Sequence, residues 1–406
     1  MDDLPSAHAH PDALVEFPPR LVGGLGRHVD SLTRSLVAAG HEVHIVTRSH
    51  PDAPAEERRG PLRVTRVDAS PPSVPFDDLV PWVLAFNTAV LAAAARILRM
   101  QPDARPFDVV HGHDWLVASA AVGIADAFDL PLVATVHATE YGRHQGHLPG
   151  PMNRLIHDIE GWFVEHADRT LVCSSYMHEQ VRTLFGIPED RLETIPNGVA
   201  VDELEPEADA VRALRRTLAD DGTHLVLFAG RLEYEKGVQT VLHALERLTD
   251  KVGSVRFLIA GVGTYSDELR LLVDELGLGH RVRFTGFLEE RALRLHYAAA
   301  DVAVAPSLYE PFGLVATEAM ACGTPVVVSD TGGLREIVTD GAGLRFPPQD
   351  AEQLADRIAE VLTDEELAGR LVARGRERIR RHYDWADVAT RTLEAYGSTV
   401  RGRRAA

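Results

Sequence analysis

The chain has 406 residues, of which 45% are hydrophobic and 25% charged, a composition typical of a globular protein with more than one domain. Its formal net charge of −18 disfavours nucleic acids and anionic membranes as partners, because both attract basic surfaces. The two cysteines form no close pair, so we expect neither a disulfide framework nor a cysteine zinc site. No charged and apolar leader opens the sequence, which favours a cytoplasmic protein.

Strand and helix patterns alternate along the chain, starting with a helix that follows Gly24 and ends at Gly40. Apolar stretches predict strands at residues 41–47, 109–111, 132–137, 170–173, 225–230, 256–260, 282–285, 302–306 and 326–329. Helical periods lie between most of these strands. The alternation predicts an α/β fold whose parallel sheets are covered by helices on both faces.

Residues 79–98 are apolar enough to raise the question of a membrane span. Polar residues and a proline interrupt the stretch, at Pro81, Asn87, Thr88 and Arg96. We therefore expect a buried helix here and no transmembrane segment.

The strand pattern restarts after residue 198, which indicates a domain boundary. Residues 203–221 are polar, contain Pro206 and read as a linker, and a new series of strands begins at Leu225. The sequence thus predicts one domain at 1–200, a second at 201–383 and a terminal helix at 384–406. One continuous sheet of nine or more strands is the alternative. Only residues 13–17 could form a strand before the first glycine loop, so the first strand is expected to be degraded or truncated.

A loop that leads into a helix carries the strongest candidate site. Residues 310–318 read Glu-Pro-Phe-Gly-Leu-Val-Ala-Thr-Glu and follow the strand predicted at 302–306. The N-terminus of a helix offers N–H groups and partial positive charge, which suit a diphosphate or sugar hydroxyls. Gly313 allows close backbone approach, and Glu310 and Glu318 can accept hydrogen bonds from paired hydroxyls. Solvated glutamates beside a capped helix are the alternative.

Two cations lie in the segment 230–237, Gly-Arg-Leu-Glu-Tyr-Glu-Lys-Gly, which follows the first strand of the second half. The carboxyl end of a strand is where open α/β sheets bind their ligands. Arg231 and Lys236 could neutralise the charge that builds on a departing diphosphate. Surface charge without a function is the alternative.

Three weaker candidates lie in the first half. The glycine loop with Gly23 and Gly24 precedes the first helix and allows a tight turn and contact with an anion, or serves packing alone. His137 and Asp114 each stand where a predicted strand ends, which favours a place at the ligand-binding edge. The chain has 19 histidines, so a structural role for His137 stays open.

Together these motifs resemble family-four retaining glycosyltransferases of the GT-B fold, in which two Rossmann-like domains face each other across a cleft. The resemblance spans residues 17–396 and rests on the spacing of two glutamates, two cations, the glycine loop and one histidine: Glu310, Glu318, Arg231, Lys236, Gly23, Gly24 and His137. Residues 22–26, 111–115 and 135–140 are similar to motifs of glycogen and starch synthase-like enzymes, and most of all to actinobacterial α-1,4-glucan glucosyltransferases.

The resemblance implies transfer of glucose, with retention, from UDP-glucose or ADP-glucose to the 4-hydroxyl of an α-glucan or oligosaccharide. The nucleotide sugar is a co-substrate, and no cofactor is expected. Residues 1–200 would hold the acceptor, residues 201–383 would hold the donor, and the terminal helix would cross back to the first domain.

The resemblance also implies a role for each candidate in the second half. Arg231 and Lys236 would hold the diphosphate, and Glu318 would hold the ribose. Glu310 would hold the transferred sugar together with the backbone amides of Phe312, Gly313 and Leu314.

In the first half, His137 would contact the transferred sugar near the reacting carbon. Gly23 and Gly24 would lie at the donor, and Asp114 and Asn197 would line the cleft. The residues expected to act in catalysis are therefore His137, Arg231, Lys236 and Glu310.

No Asp-x-Asp pair occurs in the chain, although metal-dependent glycosyltransferases commonly hold their ion with one. We therefore expect Arg231 and Lys236 to replace a metal. His144 and His147 lie on a polar loop, and no zinc site is assigned there without a set of cysteine or acidic partners.

Two other functions stay open. A transferase acting on a phosphoinositide lipid or a sugar phosphate would need a basic or apolar surface near the glycine loop. The basic cluster at residues 370–381 is interpreted as a solvated helix face. A sugar-nucleotide binder or epimerase could share the fold, but it would need no cations at a leaving group.

Overall fold

The computed structural model describes residues 17–18, 24–68, 79–99, 107–199 and 206–405. These residues divide into two compact units. The amino-terminal unit combines residues up to 198 with residues 385–405, and the carboxy-terminal unit contains residues 199–384. Apart from Phe17, the expected first strand lies outside the described residues, as does Gly23.

Strands and helices are numbered in chain order. The strands of the amino-terminal unit are β1 (Val43–Arg48), β2 (Glu56–Arg59), β3 (Leu62–Val67), β4 (Val110–His113), β5 (Leu132–Val136), β6 (Arg169–Val172) and β7 (Leu192–Thr194). Its helices are α1 (Gly24–Ala38), α2 (Leu79–Arg99), α3 (Ala118–Phe128), α4 (Glu140–Arg143), α5 (Pro151–His166), α6 (Ser175–Phe185) and, at the end of the chain, α15 (Trp385–Ala405). Strands β4–β7 form a parallel sheet in this order, and β3 lies between β1 and β2, parallel to β1 and antiparallel to β2.

The strands of the carboxy-terminal unit are β8 (His224–Ala229), β9 (Val255–Ala260), β10 (Val282–Gly286), β11 (Val302–Ala305), β12 (Val326–Ser329) and β13 (Leu344–Phe346). Its helices are α7 (Ala208–Leu218), α8 (Val238–Val252), α9 (Ser266–Glu275), α10 (Glu290–Ala299), α11 (Leu314–Ala321), α12 (Leu334–Ile337), α13 (Ala351–Thr363) and α14 (Glu365–His382). The six strands form one parallel sheet in the order β10-β9-β8-β11-β12-β13.

The strand order of the carboxy-terminal unit fixes where a ligand can bind. The chain begins at β8 in the middle of the sheet, moves outward to β10 and returns to β11 on the other side of β8. This is the Rossmann order, and its reversal between β8 and β11 opens a crevice at the carboxyl ends of these two strands. The central strands β8, β11 and β12 are apolar runs because helices cover both faces, as in Leu225–Ala229, which is buried throughout.

The strands expected from the sequence are present, with ends shifted by at most a few residues. Strands β2, β3, β7 and β13 were not predicted. All four residues of β2 are charged, and β7 and β13 have three residues each, so these three strands lack the apolar run that marks a buried strand. In β3, polar residues interrupt the run at Arg63, Thr65 and Arg66. The α/β class with parallel sheets is confirmed.

The linker predicted at residues 203–221 is wrong over most of its length, because residues 208–218 form α7. Only Leu218 of this helix is buried. The guanidinium of Arg215 donates to the carbonyl of Ala299 at 2.7 Å and to Asp301 Oδ2 at 2.9 Å. Polar contacts with the end of α10 therefore hold a helix that lacks the wide apolar face expected from the sequence pattern.

Helix α2 is the one helix among the described residues with the length and composition of a membrane span. Its Trp82, Phe86 and Val90 side chains are buried in a core that also includes Trp115 and Leu116. The amide of Asn87 donates to the carbonyls of Val83 and Leu116, which satisfies this buried polar group within the unit. These are the contacts of a core helix.

Helix α15 completes the amino-terminal unit although it lies at the other end of the chain. Its Ala389 is buried with Leu32 and Leu36 of α1. The Trp385 ring lies against Gly198, where a Cβ atom would come within 2.5 Å of Trp385 Cδ2. The absence of a side chain at residue 198 therefore lets the first residue of α15 pack directly on the backbone that follows β7.

Replacing Gly198 by Ala should destabilise the amino-terminal unit. The added Cβ would overlap the Trp385 ring, and overpacking of this kind costs about 1–3 kcal/mol. Chemical unfolding followed by intrinsic fluorescence measures the loss. Gly123→Ala is the matched control within the same unit, since its Cβ would meet only Leu91 at 3.6 Å and α3 would gain helix propensity. A Gly198→Ala protein as stable as the parent would contradict the packing argument.

Candidate active site

Two loops meet at the switch point of the carboxy-terminal unit. One follows β8 and contains Gly237 in the left-handed region, with φ +70°. The other follows β11 and begins with Pro306, whose carbonyl oxygen would lie 2.0 Å from a Cβ atom at residue 237. The N–H of Leu308 also donates to the carbonyl of Glu235 at 2.7 Å. A glycine is required here because the two loops touch through their backbones.

This contact brings Lys236 and Glu310 together. Lys236 Nζ lies 3.0 Å from Glu310 Oε2, and each side chain is 16% exposed. Ser307 Oγ donates to the same carboxylate oxygen at 3.1 Å. Because the pair is largely shielded from water, its charges interact more strongly than those of a surface pair.

The second cation of the loop after β8 is more exposed. Arg231 Nη2 lies 3.7 Å from Glu235 Oε1, and the Arg231 side chain is one-third exposed. A guanidinium held in this way can offer donors to a ligand at the crevice.

The helix that follows this crevice presents its N-terminus. Helix α11 begins at Leu314, and Gly313 before it has φ +116°. A Cβ atom at Gly313 would lie 2.6 Å from Leu334 Cδ2, so a side chain cannot fit. The Phe312 ring is buried and packs edge-on against Tyr383 at 5.6 Å between ring centroids. The first N–H groups of a helix have no partner within the helix, so those at the start of α11 can donate hydrogen bonds to a ligand.

Glu318 lies further along α11. The hydroxyl of Tyr297 donates to Glu318 Oε2 at 3.3 Å, which orients the carboxylate. The structure thus places Lys236, Glu310, Gly313 and Glu318 on the two loops and the helix that follow β8 and β11.

In the amino-terminal unit, Asp114 and His137 follow two neighbouring strands, β4 and β5. Asp114 is buried and has φ +57°, a conformation rare for residues other than glycine. Its Oδ1 accepts the backbone N–H of His137 at 2.7 Å. Burial raises the pKa of Asp114 to about 6. This bond fixes the backbone position of His137 relative to β4.

His137 belongs to a cluster of four imidazoles, with His28 on α1 and His111 and His113 on β4. His113 Nδ1 lies 3.1 Å from His137 Nε2, and the His28 and His137 ring centroids are 4.7 Å apart. Burial lowers the pKa of His137 to about 4 and that of His111 to about 3. Burial also lowers the pKa values of His28 and His113 well below their usual range. The cluster is therefore neutral at neutral pH.

Asn197 is buried beside His28 and favours the charged form of that imidazole, against the larger effect of burial. Asn197 Oδ1 is buried and has no hydrogen-bond partner among the residues that the structure describes. Gly24, half-buried, begins α1 one turn before His28. The structure thus brings His137, Asp114 and Asn197 into one group and places Gly24 one helical turn from it.

His28 and His113 were not predicted as site residues. A signal for one of them existed, because alternate residues of a strand share a face, and His111 and His113 are alternate residues of β4. No sequence pattern placed His28 near these residues, because its position depends on how α1 packs beside the sheet.

A buried acidic pair behind His137 was also missed. Glu140 accepts hydrogen bonds from Asn153 Nδ2 at 2.7 Å and pairs with His144 Nε2 at 3.1 Å. Glu160 accepts the backbone N–H of Glu140 at 2.9 Å, and burial raises its pKa well above the usual value. These bonds fix the short helix α4, which directly follows His137.

Both halves of the chain match glycosyltransferase families. Residues 22–203 match the family described as Glycosyltransferase Family 4, and residues 212–378 match Glycosyl transferases group 1.

Relatives match over nearly the full length. A glycogen synthase of Mycobacterium tuberculosis is 40% identical over 408 residues, covering 96% of this chain and 94% of that protein. A D-inositol 3-phosphate glycosyltransferase of Xylanimonas cellulosilytica is 34% identical and covers 94% of this chain and 93% of that protein. Among solved structures, a sucrose-phosphate synthase from Thermosynechococcus elongatus superposes with a TM-score of 0.82, at 30% identity and with 98% of both chains covered.

The paired family matches, the full-length relatives and the Rossmann-type sheet agree, and the chain belongs to the family-four, group 1 glycosyltransferases of the GT-B fold.

Proposed function

We propose that this glycosyltransferase moves glucose from UDP-glucose or ADP-glucose to the 4-hydroxyl of an α-glucan, with retention and without a metal ion. The observation that carries the proposal is the shielded Lys236–Glu310 pair at the switch point of a Rossmann-type sheet. The 40% identity with a glycogen synthase supports glucose as the sugar and a glucan as the acceptor.

Charge on the leaving group is the main electrostatic demand of this reaction. The bond between the anomeric carbon and the diphosphate oxygen breaks, and negative charge builds on that oxygen. Lys236 and Arg231, both on the loop after β8, would stabilise this charge in place of a divalent cation. The acceptor oxygen bonds to the anomeric carbon on the same face, and its proton passes to the departing phosphate.

The remaining groups of the carboxy-terminal unit would position the donor. Glu310, already a partner of Lys236, would accept a hydrogen bond from a sugar hydroxyl and keep Lys236 oriented toward the diphosphate. The first-turn amides of α11 would bind anionic or hydroxyl oxygens. Glu318 would accept hydrogen bonds from both hydroxyls of the ribose, and the hydrogen bond from Tyr297 would orient its carboxylate.

In the amino-terminal unit, His137 would contact the transferred sugar. Its lowered pKa keeps the imidazole neutral, so it would act through a hydrogen bond rather than as a cation or a proton donor. Asp114 would hold the backbone of His137 in place.

A second candidate function has its own support. The relative named D-inositol 3-phosphate glycosyltransferase covers 94% of this chain at 34% identity. The same donor site would then serve an acceptor that carries a phosphate group, and a glucan would not react.

Incubation with labelled UDP-glucose and ADP-glucose should give labelled product with glycogen or maltooligosaccharides, and none with D-inositol 3-phosphate. Nuclear magnetic resonance of a short product should show an α-1,4 linkage. Transfer to the inositol phosphate alone would replace the glucan proposal by the second candidate. Hydrolysis or binding without transfer to any acceptor would reject both.

Replacing Lys236 by Ala should lower kcat by about 10²–10³-fold, the scale seen when one preorganised donor is lost. Donor affinity should change far less, because the interaction grows only as the bond to the diphosphate breaks. Lys236→Arg should rescue poorly, since a planar guanidinium does not replace a compact ammonium group. Steady-state kinetics at saturating donor provide the measurement.

Lys251→Ala is the matched control for this series. Lys251 is another lysine of the same unit, 39% exposed and paired with Asp356 at 3.3 Å. Its kcat should stay within a few-fold of the parent because exposed pairs contribute little. If Lys236→Ala behaves like Lys251→Ala, Lys236 has no role in the chemical step.

Replacing Glu318 by Ala should weaken nucleotide binding by about 1.5–3 kcal/mol, the worth of hydrogen bonds to a charged group. Titration calorimetry with UDP and ADP measures the change and also shows which base is preferred. Glu352→Ala serves as the control. Glu352 lies on α13 and forms an exposed ion pair with Arg247 of α8. Equal nucleotide affinity in both variants would show that Glu318 does not bind the ribose.

A further inference from the structure

Three imidazoles of the amino-terminal unit converge on one point. His28, His113 and His137 each offer a ring nitrogen, and these three atoms lie within 4.8 Å of one another. They come from α1, from β4 and from the residue after β5, so three separate elements aim side chains at the same place.

The spacing of these nitrogens is close to that of a metal site. Zinc bonds to imidazole nitrogen at about 2.0–2.1 Å, so two ligands of a tetrahedral ion lie about 3.3 Å apart. His113 Nδ1 and His137 Nε2 are already 3.1 Å apart. The His28 ligand atom lies within 4.8 Å of the other two, so a shift of this ring would let three ligands surround one ion.

The hydrogen bonding of His28 provides a second, independent observation. The residue is 7% exposed, and its Nδ1 has no hydrogen-bond partner within the described part of the chain. A buried ring nitrogen without a partner costs free energy. Coordination of a cation through this nitrogen would satisfy it.

We propose that His28, His113 and His137 form a binding site for a divalent d-block cation, zinc above all, and that its occupancy inhibits the transferase. Imidazole ligands suit zinc rather than magnesium or calcium, which take oxygen ligands. Three histidines leave the fourth position of the ion for water.

The groups around the site affect the cation in opposite directions. Asp114, whose carboxylate bonds the backbone of His137, adds negative charge nearby. The guanidinium of Arg143 lies close enough to His137 to interact with its charged form, and it would repel a cation. We therefore expect reversible binding rather than a permanently held ion.

Inhibition follows from what coordination does to His137. Coordination would take one ring nitrogen of His137 and fix the imidazole toward the ion, so the ring would no longer be oriented toward the transferred sugar. This step rests on the role that the proposed function gives to His137. Zinc binding itself does not depend on that role, so the two ideas can fail separately.

The test measures zinc binding and turnover on the same chelator-treated protein. Affinity comes from competition with a chromogenic chelator, and cobalt in place of zinc reports three nitrogen ligands and tetrahedral geometry through its visible absorption. All proteins carry His8→Ala and His10→Ala, so that these histidines cannot contribute.

Two ligand variants and one control complete the set. His28→Gln and His113→Gln keep polar side chains of similar size but should weaken zinc binding by at least about 100-fold, more than the loss of an outer-shell partner costs. His166→Gln removes an exposed histidine of α5 that bonds the carbonyl of Trp162, and it should bind zinc as the parent does. Circular dichroism confirms that each variant is folded.

One zinc ion per chain, lost in both ligand variants and kept in the control, supports the site. Turnover that falls in proportion to zinc occupancy and returns with chelator supports the inhibition. Equal zinc affinity in the parent and His28→Gln would overturn the site. Zinc bound at the site with unchanged turnover would overturn the inhibition.

Discussion

Parallel strand pairing is the constraint on which both units depend. Each parallel strand needs a crossover that returns the chain to the same edge, so the carboxyl ends of the strands meet along one rim. In the carboxy-terminal unit this rim brings Lys236 and Glu310 to 3.0 Å although 74 residues separate them. In the amino-terminal unit it joins Asp114 to His137. Chemistry-bearing residues are therefore assembled by topology and not by closeness in the sequence.

Burial gives the two rims different electrostatic characters. The rim of the carboxy-terminal unit keeps charged groups that are partly shielded, with one cation paired to Glu310 and one to Glu235. The rim of the amino-terminal unit shields its imidazoles from water, which lowers their pKa values and keeps them uncharged. One set of residues suits a diphosphate, whereas the other suits neutral hydroxyls or a metal ion that prefers nitrogen. The same fold supports both because each rim is set by the side chains at its strand ends.

Much of this arrangement could be predicted from the sequence, because continuous apolar runs identify buried parallel strands and the motifs sit where those runs stop. The need for a residue without a side chain at Gly313 followed from the same logic, whereas the pairing of Lys236 with Glu310 was seen only in the structure. Strand β2 could not be found, since its four residues are charged and it pairs only at an edge. Helix α7 was missed because contacts of Arg215 with a distant helix end stabilise it. The approach of His28 to His113 and His137 depends on tertiary geometry that no local pattern contains.

The return of α15 to the amino-terminal unit has a consequence for how the protein is made. Residues 199–384 are synthesised before the helix that packs on α1. Domains tend to fold as units during synthesis, usually in the order of their synthesis. Here the amino-terminal unit cannot complete its core until residues 385–405 follow, and Leu32 and Leu36 lack their apolar cover until then. A nascent chain stalled before Trp385 would expose this surface and present a binding site for chaperones.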